Sequence, residues 1–295
     1  MFLVKIFIVM KINLEGRFSM EKLQKKANEI RRTILAMTVN AGKGHIGGAF
    51  SCTDILVALY YGGILKYDAA QPDWSERDRF ILSKGHVATA LYAILADLGF
   101  FDRACLDTYG KNGSILGAHP DRNIPGIEIN SGSLGHGLGI GAGLALAAKM
   151  DKKDYKTVVL LGDGECYEGS VWEAAMFAGH HQLDNMVAIV DRNYQCVLDF
   201  TEDCNRQEPF AEKWKAFGWD VVAINGHSFN DFINAFSYLN RKIDARPIAI
   251  IAQTIKGKGV SFMEGKLEWH HKVPSRDEIE FARKELECAH DGNND

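Results

Sequence analysis

Continuous apolar runs, rather than alternating ones, mark the predicted strands of this chain. They are TVVLLG (157–162), MVAIVD (186–191), WDVVAI (219–224) and PIAIIAQT (247–254), preceded by the shorter run FILS (80–83). Strands of this kind are buried on both faces, as in a parallel sheet that carries helices on each side. The pattern therefore predicts a doubly wound α/β fold with helices on both faces of a parallel sheet.

Segments with helical spacing separate the strands. Ser19 can cap a first helix that buries Leu23, Ala27, Ile30 and Ile34. Further helices are predicted at 53–61, 88–98, 144–150, 168–181, 208–216 and 228–242.

The pattern predicts one main domain. Two glycine-rich stretches, 41–50 and 131–143, are predicted as loops within it, and no repeat or linker interrupts residues 20–275. Residues 1–19 are interpreted as an N-terminal extension, because their apolar run is too short to cross a bilayer and no small-residue cleavage site follows it. A signal peptide is the alternative. Residues 276–295 are assigned to a C-terminal helix and a polar tail.

Composition narrows the possible partners. The chain has 295 residues, 46% of them hydrophobic, which is enough for a large core. Its net charge of −4 and the absence of a basic run disfavour a nucleic-acid partner, and no segment reaches transmembrane length. The six cysteines are scattered without a CxxC pair, which is typical of reduced thiols in a cytoplasmic protein. Disulfides or a zinc site are the alternatives.

Polar residues follow two consecutive predicted strands. GDG (162–164) ends one strand and DRN (191–193) ends the next. Ligands of an open parallel sheet bind outside the carboxyl ends of its strands. Asp and Asn oxygens with a backbone carbonyl suit Mg²⁺, which completes its octahedron with phosphate oxygens and water. The pattern predicts a metal-bridged diphosphate site, with two turns that hold no metal as the alternative.

These motifs resemble those of a known family. GDGECYEG followed by DRN resembles the thiamin diphosphate motif. Further blocks, in the family's order, resemble transketolases: GKGHIGGAFSCTDIL (42–56), LSKGHVATALYAIL (82–95), GAHP (117–120), SGSLGHG (131–137), INGH (224–227) and KGKGVSFMEGKLEWHHKVP (256–274). The resemblance covers about residues 20–275 and implies the PP-type fold of the diphosphate-binding, N-terminal part of a transketolase.

The resemblance also implies roles for individual residues. Asp163, Asn193 and the backbone carbonyl of Gln195 would hold Mg²⁺, or Ca²⁺ or Mn²⁺ in its place. Cofactor contacts are implied for His86, Gly132, Leu134, Gly164, Glu165, Asn193 and His271. Among these, Gly164 would contact the diphosphate, whereas Gly132 and Leu134 would border the aminopyrimidine. The role of Glu165 is less defined.

Three histidines are implied to be catalytic. By resemblance, His45 and His119 would bind substrate hydroxyls and assist proton transfer, for which imidazole is suited near neutral pH. His271, like His86, would face the cofactor diphosphate and the substrate. His270 competes with His271, which is favoured because it lies nearer the end of its block. His136 stands where the family often has Gln, so its role stays open.

The implied function is thiamin diphosphate- and Mg²⁺-dependent transfer of a two-carbon ketol unit from a ketose phosphate to an aldose phosphate. The family's pyrimidine-binding part supplies a glutamate that activates the cofactor ring, and the segment after Pro274 is too short to carry that part. We therefore expect a separate C-terminal subunit that joins this chain in a heterotetramer. Roles in the pentose phosphate pathway and in specialised ketose degradation look alike at this level.

Other functions stay open. The chain could be an α subunit of a 2-oxo acid dehydrogenase E1, a deoxyxylulose-phosphate synthase-like subunit, or a non-catalytic binding homologue. Residues 137–142 also fit the GxGxxA dinucleotide motif, but the strand that should precede it is missing from the pattern.

Overall fold

The computed structural model describes residues 18–239 and 244–288. The helices are α1 (Met20–Ala41), α2 (Ile46–Tyr61), α3 (Ala88–Asp97), α4 (His136–Met150), α5 (Gly169–His180), α6 (Thr201–Cys204), α7 (Phe210–Ala216), α8 (Phe229–Leu239) and α9 (Arg276–Cys288). The strands are β1 (Arg79–Leu82), β2 (Thr157–Gly162), β3 (Met186–Arg192), β4 (Asp220–Asn225) and β5 (Ile248–Gln253). Short 3₁₀ helices cover Gly85–Val87, Arg103–Thr108, Gly164–Tyr167 and Leu267–His270.

The five strands pair in parallel in the order β1-β2-β3-β5-β4. Side chains of β2 alternate between two cores: Val158 and Leu160 join the core that includes α1, α2 and α3. Val159 and Leu161 join the core that includes α4, α5 and α7. Helices therefore cover both faces of the sheet, and the predicted doubly wound α/β fold is confirmed.

Both predicted glycine-rich loops are partly helical. The loop prediction for 41–50 was wrong from Ile46 onward, where α2 begins, and that for 131–143 was wrong from His136 onward, where α4 begins. In α4 the small residues serve close packing on the sheet: a Cβ added to Gly141 would lie 2.6 Å from Cγ2 of Val159. Glycine here marks a helix–sheet contact.

The two terminal helices of the described region pack together. Ser19 caps α1 by accepting the backbone N–H of Lys22, and the four predicted core residues of α1 are buried. Ala282 and Leu286 of α9 lie in the same core, so the C-terminal helix is packed onto the domain. Residues 1–17 of the predicted extension, the end of the predicted helix 228–242 and the tail 289–295 lie outside the described residues. Among the helices described, none combines the length and apolarity needed to cross a bilayer.

Candidate active site

Asp163 and Asn193 lie together at the carboxyl edge of the sheet, because β2 and β3 are neighbours in register. Asp163 is 2% exposed. Its Oδ1 accepts the N–H of Gly164 at 2.8 Å and its Oδ2 accepts the N–H of Tyr194 at 2.6 Å. Both carboxylate oxygens are thereby fixed in place, and Asp163 lines a cavity of about 610 Å³.

The turn after β3 brings the other predicted ligands to the same cavity. Tyr194 has φ 63°, a left-handed conformation that reverses the chain between Asn193 and Gln195. The N–H of Gln195 donates to Oδ1 of Asn193 at 3.1 Å. Within the described residues, the backbone carbonyl of Gln195 accepts no hydrogen bond, so that oxygen stays available.

This donor set fits Mg²⁺ and a diphosphate. One carboxylate, one amide oxygen and one carbonyl are hard donors that leave coordination positions for phosphate oxygens and water. No cluster of three or more His, Cys, Asp or Glu side chains suited to a metal occurs in the part of the chain that the structure describes. Burial and the neighbouring Asp191 raise the pKa of Asp163 to about 6, against the opposing effect of Arg192. A bound cation would favour the charged carboxylate.

Two buried lysines line the same cavity and were missed by the sequence analysis. Although burial opposes it, the ion pair with Asp191 raises the pKa of Lys84 to about 12. Burial, together with the charge of Lys84, lowers the pKa of Lys256 to about 8. Each lysine lies in a glycine-containing segment that follows a strand, SKG (83–85) or KGKG (256–259). That position after a strand is the sequence feature that could have identified both lysines as site residues.

Three histidines line the cavity: His45, His86 and His270. The ring centroid of His45 lies 5.1 Å from that of His86 and 5.4 Å from that of His270. Nδ1 of His270 lies 2.9 Å from Nζ of Lys256. The structure thus places His270, the competitor in the sequence analysis, inside the site.

The other two predicted histidines lie beside lining residues of the cavity: His271 beside His45, and His119 beside Gly132. His271 is exposed, with its ring centroid 4.7 Å from that of His45. His119 is exposed on a loop, where its backbone carbonyl accepts the hydroxyl of Tyr92. Neither of these side chains belongs to the cavity lining.

Burial makes the inner histidines poor proton acceptors. Burial, with the nearby His271, His119 and Lys256, lowers the pKa of His45 to about 4. Burial, followed by the charge of Lys256, lowers the pKa of His270 to about 3. Both rings are therefore neutral at neutral pH and offer one N–H donor and one ring acceptor each.

Glu165 lines the cavity, but both of its carboxylate oxygens already accept hydrogen bonds from protein groups. Its oxygens accept the hydroxyl of Ser83 at 2.5 Å and the N–H groups of Gly135 and Gly162 at 2.9 and 3.0 Å. The residue thereby braces the end of β2 against the turn that precedes α4. The predicted aminopyrimidine neighbours Gly132 and Leu134 lie on that same turn and also line the cavity, as does Gly164.

The dinucleotide alternative has no structural counterpart at residues 137–142. That stretch lies inside α4, and the residues before it form turns and irregular backbone instead of a strand. The motif requires a strand, a glycine turn and then a helix.

A family model described as "Transketolase, thiamine diphosphate binding domain" matches residues 23–292. The chain belongs to the transketolase family. The resemblance inferred from its motifs is therefore confirmed.

Relatives of this transketolase chain include proteins named as separate subunits. It is 46% identical to a subunit of the apulose-4-phosphate transketolase of Phocaeicola vulgatus, covering 90% of this chain and 94% of the relative. It is 42% identical to the 6-deoxy-6-sulfo-D-fructose transketolase subunit SqwG of a Clostridium species, covering 90% and 96%. Human transketolase is 38% identical over 90% of this chain, which corresponds to 42% of the human protein.

Solved transketolases share the fold. The Campylobacter jejuni enzyme superposes with a TM-score of 0.86 at 31% identity, covering 92% of this chain and 43% of that enzyme. The Leishmania mexicana enzyme gives 0.85 at 28% identity, covering 95% and 43%. The transketolase chain thus spans less than half the length of these enzymes and nearly all of the relatives named as subunits.

Proposed function

We propose that this chain is the N-terminal subunit of a split transketolase. With thiamin diphosphate, Mg²⁺ and a separate C-terminal subunit, it would transfer a two-carbon ketol unit from a ketose phosphate to an aldose phosphate. The proposal rests on one observation: Asp163, Asn193 and Gln195 line the same cavity as two buried lysines and three histidines. The unbonded thiols of the described residues are consistent with a cytoplasmic location.

The proposed cofactor contacts follow from the cavity wall. Asp163 Oδ1 or Oδ2, Asn193 Oδ1 and the Gln195 carbonyl would hold Mg²⁺, and Lys256 faces the same space with its ammonium group. Gly164 would admit the diphosphate close to the backbone, while Gly132 and Leu134 would border the pyrimidine ring. When bound, thiamin diphosphate supplies the carbanion stabilisation that ketol transfer requires.

Four of the histidines would contact the sugar substrate. His45 and His270 are neutral and lie within the site, so each can donate a hydrogen bond to a sugar oxygen or accept one from a sugar hydroxyl. His119 and His271 are exposed beside the cavity lining, where they would contact the part of the sugar nearer to solvent. His86, whose ring centroid lies 5.1 Å from that of His45 and 5.7 Å from that of His270, would contact the cofactor.

The relatives support a partner for this chain. The chain covers 94% and 97% of two proteins named as subunits of apulose-4-phosphate transketolases, from Phocaeicola vulgatus and Actinobacillus succinogenes. Such names imply a second subunit for those proteins, and we propose the same arrangement here, as a heterotetramer with two cofactors.

The decisive test is to co-express this chain with a candidate C-terminal subunit, then to assay transfer from a ketose phosphate to an aldose phosphate. We expect turnover that requires thiamin diphosphate and a divalent cation and that disappears after chelation. Cofactor-independent turnover, or none when both subunits form a stable complex with cofactor bound, would contradict the proposal.

A further inference from the structure

Two thiols lie side by side at the wall of the cofactor cavity. Cys196 follows Gln195 in the turn after β3, and Cys204 is the last residue of α6. Their Sγ atoms are 3.4 Å apart, and both residues line the cavity. Because a disulfide bond is about 2.05 Å long, the two sulfurs need to approach each other by only about 1.4 Å.

Access and contact together distinguish this pair from the other described thiols. Cys204 is exposed, Cys196 and Cys105 are half-buried, and Cys52 and Cys166 are buried. Among the described thiols, only Cys196 and Cys204 lie in contact with each other. Oxidants act on thiols that they can reach, and a second thiol in contact resolves the first product into a disulfide. The pair therefore has both features of an oxidisable dithiol, namely access and a neighbouring partner.

We propose that hydrogen peroxide converts Cys196 and Cys204 into a reversible disulfide, and that this disulfide weakens diphosphate binding. The sulfur of Cys204 attacks one peroxide oxygen, the O–O bond breaks, and water leaves with the thiol proton to give a sulfenic acid. The sulfur of Cys196 then attacks that of Cys204, the S–O bond breaks, and the hydroxyl leaves as water with the second thiol proton. Two thiols are oxidised by two electrons and one peroxide is reduced to two waters.

The position of Cys196 links the disulfide to the cofactor site. Its carbonyl accepts the ammonium group of Lys256 at 3.2 Å. A Cβ added to Gly164 would lie 2.9 Å from the Cβ of Cys196, so the two backbones are in close contact. Drawing Cys196 toward Cys204 would therefore shift Lys256, Gly164 and the carbonyl of the adjacent Gln195. This part of the inference rests on the proposed function, because those groups are its diphosphate and metal contacts.

The first experiment maps the modification on the full chain. The protein is treated with hydrogen peroxide, its remaining thiols are alkylated, and its proteolytic peptides are identified by mass spectrometry. We expect a linked peptide joining Cys196 to Cys204 that dithiothreitol separates. The Cys204→Ser variant should lack it, and the matched control Cys105→Ser should retain it. A peroxide-treated chain with both thiols still alkylated, or with either joined to a different cysteine, would overturn the proposal.

The second experiment measures binding of pyrophosphate with Mg²⁺ to the full chain by calorimetry, so that no turnover is needed. Displacement of groups that support a metal ligand typically costs ten- to a hundredfold in affinity, so we expect oxidation to weaken binding by about tenfold. Peroxide should not change the affinity of Cys204→Ser. Equal affinity of the reduced and the disulfide forms would overturn the proposal that the disulfide weakens diphosphate binding. Failure of the reduced wild-type chain to bind the probe would count against the proposed function itself, while the peptide map decides the disulfide separately.

Discussion

His270 and His271 are adjacent in sequence and lie in different surroundings. The 3₁₀ turn Leu267–His270 buries Trp269 and directs the ring of His270 into the cavity, where it contacts Lys256. His271 follows the turn and is exposed. The choice between two consecutive histidines depends on the local conformation of this turn, which the sequence pattern alone does not specify.

Replacement of the two histidines should therefore have unequal effects. We expect His270→Ala to lower kcat/KM of the assembled enzyme by about a hundredfold, because loss of one preorganised hydrogen-bond donor in an active site typically costs at least that much. His271→Ala, the matched control, should have a clearly smaller effect. Steady-state kinetics with saturating cofactor provide the measurement. A greater loss in His271→Ala would restore the assignment favoured by the sequence.

Asp163 should be essential for metal-dependent cofactor binding, because it is the carboxylate of the proposed Mg²⁺ site. We expect Asp163→Ala to bind magnesium and thiamin diphosphate too weakly to detect by calorimetry on the assembled enzyme. Asn193→Ala should bind with a smaller loss, since a neutral ligand is removed. Asp154→Ala, in the exposed loop at the opposite end of β2, serves as the control. Wild-type affinity in Asp163→Ala would remove this residue from the site.

At the scale of helices and strands, a buried ion pair joins α1 to α2. The guanidinium of Arg31 donates to both carboxylate oxygens of Asp54, at 3.0 and 2.6 Å. Nδ1 of His227, in the loop after β4, lies 2.6 Å from the same carboxylate, and its Nε2 accepts the N–H of Ile255 at 2.9 Å. Ile255 precedes Lys256, so this network holds the helical layer, the edge strand and one wall of the cavity together.

Neutralising Asp54 should destabilise the fold. Removing one partner of a buried ion pair leaves the other charge unpaired, so we expect Asp54→Asn to lower the free energy of unfolding by about 3 kcal/mol at pH 7. The measurement is urea unfolding followed by circular dichroism, with Asp107→Asn, an exposed site, as the control. An unchanged midpoint in Asp54→Asn would contradict a stabilising role.

The stability difference between wild type and Asp54→Asn should also depend on pH. Burial alone would raise the pKa of Asp54, but Arg31 and His227 lower it below its ordinary value. A carboxyl with a lowered folded-state pKa contributes its full stabilisation above the unfolded value, about 3.9, and loses it as the pH falls toward the folded value. The difference between wild type and Asp54→Asn should therefore shrink below about pH 4. A constant difference throughout this range would contradict the assignment.

Some elements were predictable from local pattern and others were not. Apolar runs such as 157–162 located the strands, because strands covered on both faces need apolar residues at every position. The start of α4 was missed, because its glycines serve contact with β2 rather than loop flexibility. Lys84 and Lys256 were missed for a related reason: a buried lysine is stabilised by partners that are distant in sequence, such as Asp191 for Lys84.

Across the whole molecule, apolar side chains remain exposed beside the cavity and on the outer helices. Val197 and Leu198, at the cavity wall, are 65% and 80% exposed. Met176 and Phe177 of α5 and Met150 at the end of α4 are also exposed. Exposed apolar groups at the wall of a site, such as Val197 and Leu198, are typical of surfaces that another chain covers. Their position supports the proposed partner subunit.

The chain should consequently be inactive by itself. In the proposed arrangement its cavity holds the diphosphate end of the cofactor, and the partner covers the pyrimidine end and supplies the activating glutamate. We expect no ketol transfer from this chain alone, turnover after co-expression with the partner, and a heterotetramer by light scattering. Co-expression of Asp163→Ala is the control: it should assemble to the same mass without turnover, which excludes catalysis by the partner alone. Appreciable turnover by the isolated wild-type chain would refute the split arrangement, because a single subunit would then supply every group that ketol transfer needs.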